Sequence, residues 1–156
     1  MRLWESQPEK AKGRPTVKAR SDGSQAVLEA GSFSWRADLP PSLGGTNAAP
    51  SPTAMLLAAL AGCAVVFIRD TLAPQLGIQV ENVEATAECQ SDSRGLLEMA
   101  GILPDLQDIQ LRIGIQSPDS QDKVQQLYRT WRERCPVYLA LSKPLQVTTT
   151  LEIKRA

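Results

Sequence analysis

SPTAMLLAALAGCAVVFIRDTL, residues 51–72, decides the fold. Ser51 is a side-chain cap and Pro52 suits the first helical position, so a helix is expected over residues 53–72. It is apolar on nearly every face up to Ile68. Such a helix should be buried all round, which one small domain rarely achieves alone. A second copy of the chain would complete the burial. The apolar part, Ala54 to Ile68, is shorter than the roughly 20 residues that span a bilayer.

Upstream, the chain reads as a three-stranded meander. Strands are expected at residues 16–20, 26–29 and 32–37, with turns at Ser21-Asp22-Gly23-Ser24 and Gly31-Ser32. In the third strand Phe33 and Trp35 alternate with Ser34 and Arg36. Residues 1–14 are polar and charged and are expected to form an N-terminal arm or an early edge element. The Pro/Gly-rich loop 39–52 is long enough to suggest a functional segment.

Downstream, Pro74 to Gly77 should end the helix. Strands are expected over residues 78–89 and 108–116, separated by an irregular segment, QSDSRGLLEMAG. A helix follows from Ser117-Pro118-Asp119, its buried stripe formed by Val124, Leu127, Tyr128 and Trp131. A second short helix begins at Cys135-Pro136 and runs through Leu141. Residues 145–153, with three consecutive threonines, give a final strand. The fold class is α+β, in the order β-β-β-α-β-β-α-α-β. No repeat or linker divides the chain, so residues 1–156 are expected to form a single domain.

The 156 residues carry 17 basic and 17 acidic side chains and no histidine. The balanced charge gives no nucleic-acid footprint and no attraction to an anionic membrane. Without histidine, Ser-His-Asp and Cys-His catalysis are excluded, as are histidine metal sites. The three cysteines form no CxxC pair, so neither a metal site nor a disulfide scaffold is expected, and no cofactor is implied. The first residues, MRLWESQPEK, lack the apolar run of a signal peptide, which makes the cytoplasm the expected compartment.

The candidate chemistry rests on the thiols. Cys63 lies mid-helix, where a cysteine packs as a small hydrophobe or, given a cationic neighbour, reacts. Cys135 stands at a helix start, where the partial positive charge favours a thiolate, or it is a buried cap. Cys89, beside Glu88, has no cation before Arg94 and reads as structural or simply exposed. Arg36, in the third strand just before the long loop, reads in isolation as a solvated strand residue.

Two stretches carry a family likeness. NAAPSPTAMLLAALAGC (47–63) resembles the "N-P-x-x-L-L-A-A-x-x-x-C" helix start of the osmotically inducible protein C and organic hydroperoxide resistance (OsmC/Ohr) family. Arg134-Cys135-Pro136-Val137-Tyr138 resembles its "C-P-[VY]" motif, and Ser91-Asp92-Ser93-Arg94-Gly95 a strand-to-loop motif of OsmC-like proteins. The resemblance implies an OsmC-like fold, with sheets wrapped around central helices in an intertwined homodimer. It also implies a thiol-dependent peroxidase of the antioxidant stress response, reducing organic hydroperoxides. Cys63 would be peroxidatic, Cys135 resolving, and Arg36 the cation that lowers the thiolate pKa. A dithiol, lipoyl protein or thioredoxin-like, would restore the pair.

Active members place a glutamate early in the central helix to hold that arginine. Here Thr53 and Ala54 stand there, which matches the OsmC-like branch better. The alternative is therefore a non-catalytic OsmC-like protein that binds a small apolar ligand or thiol partner at the dimer cleft. In a third, purely structural role both cysteines would be buried and inert.

Overall fold

The computed structural model describes residues 2–143 and 145–153, with side chains from residue 4 onward. The chain divides into two compact units, residues 1–55 and 56–156.

In the first unit, the N-terminal arm holds a short helix α1 (Arg2–Ser6) and a 3-10 turn (Pro8–Ala11). The meander forms as expected: β1 (Lys18–Asp22), β2 (Gln25–Ala30) and β3 (Phe33–Ala37), antiparallel in the order β1-β2-β3. β1 begins two residues later than expected because its ladder continues to Asp22, opposite Gln25. Gly23 then turns the chain at φ 61°, a conformation glycine adopts without penalty. Val27 and Ala37 are buried, whereas Phe33 is 74% exposed.

The central helix α2 (Pro52–Phe67) starts as the sequence implies. The Ser51 hydroxyl accepts a hydrogen bond from the Ala54 N–H at 3.2 Å. Its continuation differs from expectation. α2 runs into a π-helical turn (Ile68–Leu72) and then α3 (Ala73–Leu76), so Pro74 does not end the helix. The Ala73 N–H donates to the Ile68 carbonyl, five residues back. That wider turn already departs from the i→i−4 ladder where the proline N–H is missing. Gly77, at φ 64°, makes the stop.

Only one stripe of this helix is buried: Leu60, Ala64, Ile68 and Leu72. Residues four apart drift about 40° around an α-helix of 3.6 residues per turn. The wider turn takes up part of that drift and keeps the stripe facing one way. The expectation of burial on all sides is not met within the chain, since Val66 is 51% exposed. One chain offers partners for one face only. By length and composition Pro52–Leu76 could cross a membrane. Arg69 and Asp70 interrupt its apolar run, and its buried stripe belongs to the core described next.

In the second unit, β4 (Asn82–Gln90) pairs antiparallel with β5 (Gln107–Gln116). Val83, Ala85 and Ala87 stand opposite Ile115, Ile113 and Leu111, which makes one apolar face. The connecting segment, expected to be irregular, contains a short helix α4 (Ser93–Leu96), capped by the Asp92 carboxylate accepting from the Arg94 N–H. Helix α5 (Gln121–Arg134) begins after Ser120 and α6 (Pro136–Ser142) after Cys135. The expected stripe of α5 is buried at Leu127 and Trp131, while Tyr128 is 38% exposed. The core joins Ala64, Ile68, Leu72, Ile78, Val83, Leu127, Trp131 and Cys135.

The final strand expected at residues 145–153 does not form. A strand requires a ladder partner, and this segment pairs with none of the described strands. Its alternating apolar side chains point to solvent: Leu145 is 65% exposed, and Val147, Leu151 and Ile153 more than 80%.

Candidate functional site

α2 and the α5–α6 junction bring two thiols together. Cys63 and Cys135 are 72 positions apart, yet their Sγ atoms lie 3.1 Å from each other. This is about 1 Å outside the bond length of a disulfide. Both cysteines are free thiols. Cys63 presents its side chain from the middle of α2 and is partly buried; Cys135 is fully buried.

Cys135 ends α5 and caps α6 at once. Its N–H donates to the Trp131 carbonyl at 2.8 Å, and its Sγ accepts from the Tyr138 N–H at 3.5 Å. Pro136, at the first position of α6, donates no hydrogen bond, so the next two N–H groups are the ones that meet sulfur. The Val137 N–H hydrogen-bonds Cys63, and the Tyr138 N–H bonds Cys135.

Burial pushes the Cys63 thiol up to about 11, and the hydrogen bond and charge of Cys135 add to the rise. The Val137 N–H opposes them. The groups that set this value all belong to the second unit. Two sulfurs in contact cannot both ionise cheaply, because like charges at close range disfavour the charged form.

Arg36 belongs to the first unit. Its Nη2 is 2.8 Å from the Asp22 carboxylate and its Nη1 donates to Gln25 Oε1 at 2.8 Å. All three side chains share one face of the meander, where Arg36 stands opposite Val27. Gln25 in turn donates to Asp38 at 3.3 Å. The guanidinium is about half exposed.

Sequence reasoning missed Asp38. It is buried and organises the long loop. Its carboxylate accepts from the N–H groups of Leu39, Thr46 and Ala48, from the Thr46 hydroxyl at 2.6 Å and from Gln25. The Thr46 hydroxyl and these backbone donors hold its carboxyl well below the usual carboxylate range. A side chain on Gly45 would overlap the Leu39 carbonyl and approach Asp38 Oδ1 at 2.6 Å, so the close approach requires glycine. The available signal was an acidic residue at a strand end before a Gly/Pro-rich loop, a common site for side-chain capping of backbone.

Cys89 lies in β4, partly buried and without a partner cysteine. No group of three or more histidine, cysteine or carboxylate residues suited to a metal occurs among the described residues. Three aromatic side chains of the second unit cluster beside Cys135: Trp131 lies 5.1 Å from Tyr138 and 6.2 Å from Tyr128, between ring centroids. With Leu60, Leu111 and Leu141 they line an open apolar groove of about 310 Å³.

The family model described as OsmC-like protein matches residues 45–150. No curated protein matches the sequence. Among solved structures, an OsmC-like protein from Mycoplasma pneumoniae is 20% identical, with a TM-score of 0.70 over 84% of this chain and 89% of that one. An organic hydroperoxide resistance protein OsmC from Legionella pneumophila, described as a predicted redox protein, is 24% identical, with a TM-score of 0.63 over 83% and 89%. The organic hydroperoxide resistance protein OhrB of Bacillus subtilis is 17% identical, with a TM-score of 0.53 over 82% and 90%. These likenesses establish the fold.

Proposed function

We propose that this chain, which belongs to the OsmC-like protein family, is a thiol-dependent peroxidase that reduces organic hydroperoxides. The observation that carries the reading is the 3.1 Å approach of two cysteines from distant parts of the chain. Cys63 is the peroxidatic residue. Its thiolate attacks the outer oxygen of R–O–O–H, the O–O bond breaks, and RO⁻ takes a proton and leaves as the alcohol. Cys63 is left as a sulfenic acid. The Cys135 thiol then displaces that oxygen as water, and an intramolecular disulfide forms. An external dithiol, lipoyl or thioredoxin-like, supplies two electrons and two protons and restores both thiols.

A thiol held near 11 is almost wholly protonated at neutral pH, so the cycle needs a cation beside Cys63. We assign that part to Arg36, with its carbonyl and carboxylate contacts in the meander as the arrangement it starts from. The working form is a soluble, cytoplasmic homodimer. Two features support a second copy: the exposed apolar side of α2 and the unpaired segment 145–153, whose alternating residues fit a strand edge.

The raised Cys63 pKa and the absence of an acid at Thr53 and Ala54 favour a second reading, a non-catalytic OsmC-like protein that binds an apolar ligand or a thiol partner at the dimer cleft. One experiment separates the two. With cumene hydroperoxide and dithiothreitol, the wild type should consume peroxide and Cys63→Ser should not. Equal consumption by both would defeat the peroxidase reading.

A further inference from the structure

Once Cys63 and Cys135 are joined, an outside nucleophile has two sulfurs to attack. It must approach its target from the side opposite the sulfur that leaves, so access decides which cysteine is attacked and which departs as a thiolate. The two sulfurs have different surroundings. Cys135 is fully buried, in a core with Leu127 and Trp131, which are no more than 1% exposed. The main chain also closes around it: its N–H donates to the Trp131 carbonyl at 2.8 Å, and its carbonyl accepts from the Leu139 N–H at 2.9 Å. A nucleophile reaches this sulfur only if the α5–α6 junction opens. Cys63 is partly buried and packs against the outside of the same core.

The buried sulfur is also the one with a place to go. Its Sγ accepts from the Tyr138 N–H at 3.5 Å in the reduced protein. With the reduced sulfurs 3.1 Å apart, breaking a disulfide lets them separate by about 1 Å, back to this arrangement. A thiolate released at Cys135 therefore meets a donor already in position, and a charged acceptor strengthens that hydrogen bond.

We propose that reduction of the Cys63–Cys135 disulfide begins at Cys63 Sγ, with Cys135 as the leaving thiolate, received by the Tyr138 N–H. Cys135 then meets no outside reagent: it closes the disulfide from within and leaves when the bond opens. The first thiolate of a dithiol bonds to Cys63 Sγ, the Cys63–Cys135 bond breaks, and Cys135 takes the electron pair. The second thiol gives up its proton and attacks the reductant's own sulfur in the mixed disulfide. That closes a cyclic disulfide and releases Cys63 as a thiolate. Two electrons pass to the cysteine pair, and the reductant's two protons complete the thiols. The proposal rests on the peroxidase reading for its place in the cycle, but the choice of sulfur needs no peroxide.

Sulfite reads the choice directly, because it bonds to the attacked sulfur as an S-sulfonate and expels the other as a thiolate. Diamide, which takes two electrons and two protons from the thiol pair, makes the disulfide in the wild type without peroxide. After diamide is removed, sulfite is added together with iodoacetamide to cap the leaving thiolate, and peptide mass spectrometry locates both marks. The folded protein should carry the S-sulfonate on Cys63 and the cap on Cys135, in at least about ten-fold excess over the reverse, since access governs the rate. In urea, where both sulfurs are reachable, the two products should approach equal amounts. Equal amounts in the folded protein, or an excess of S-sulfonate on Cys135, overturn the proposal. So do a disulfide that opens only in urea and a failure of diamide to join the two thiols. S-sulfonate on Cys63 in a protein that consumes no cumene hydroperoxide keeps the proposal and defeats the peroxidase reading. Peroxide turnover with the S-sulfonate on Cys135 does the reverse.

Discussion

Replacing Arg36 with methionine tests the activation of Cys63. Without a cation the thiol sits near 11, so about one molecule in 10⁴ is thiolate at pH 7. A guanidinium about 4 Å away is worth about 4 kcal/mol at an effective dielectric of 20. At 1.36 kcal/mol per pKa unit this is about 3 units, which brings Cys63 to about 8. The thiolate fraction then rises by about 10³. A less basic thiolate is also a weaker nucleophile, with a Brønsted slope of about 0.4–0.5, which returns about 1.2–1.5 of those three decades. Arg36→Met should therefore slow alkylation of Cys63 at pH 7 by about 30- to 60-fold and move its midpoint from about 8 towards 11. The assay is iodoacetamide labelling between pH 6 and 11, with Cys63 followed by peptide mass spectrometry. The lost ion pair with Asp22 is half exposed and worth at most about 1 kcal/mol, so the variant should fold. A wild-type midpoint near 11, or identical profiles for the two proteins, would refute the role assigned to Arg36.

Three further outcomes follow from the packing and the ionisation. Asp38→Asn should lower the melting temperature at pH 7, because a charged acceptor of several N–H groups is lost; the difference from wild type should shrink as the pH falls below the usual carboxylate value of 3.8, because the unfolded carboxyl then binds a proton while the native one stays ionised. Leu127→Ala, at a fully buried position, should destabilise by about 2–5 kcal/mol in urea unfolding. In Arg36→Met, where no cation faces Cys63, the unfolded thiol ionises first, so any stability it contributes is complete below pH 9 and declines as the pH rises from 9 towards 11; the decline should be smaller when Cys63→Ser is added to that variant, read as the difference between the two unfolding curves.

The parts of the fold carried by short-range signals were legible in the sequence. Ser51-Pro52 marks the start of α2, Asp22-Gly23 marks a turn, and Cys135-Pro136 marks the α5–α6 junction, because each is a local arrangement of donors, acceptors and fixed φ. Pro74 misled, since its effect depends on the wider turn before it, and no residue type announces such a turn. The segment 145–153 has the alternation of a strand, but alternation states only that two faces differ and does not supply the partner. The two thiols could be named as candidates, yet their contact arises from how the π-helical turn after α2 and the α5–α6 junction pack together, which is a tertiary fact. Asp38 escaped for a related reason. A single acid before a loop looks solvated until the loop folds back and offers it several N–H groups.

The sulfur pair also bears on how the protein withstands heat. A covalent link between residues 63 and 135 would close a loop of 72 residues. On the chain-entropy account, that restricts the unfolded chain by about 4 kcal/mol. A thermal-shift curve would then read the oxidation state directly, and each arriving peroxide would leave the molecule more heat-resistant until a dithiol reopened it.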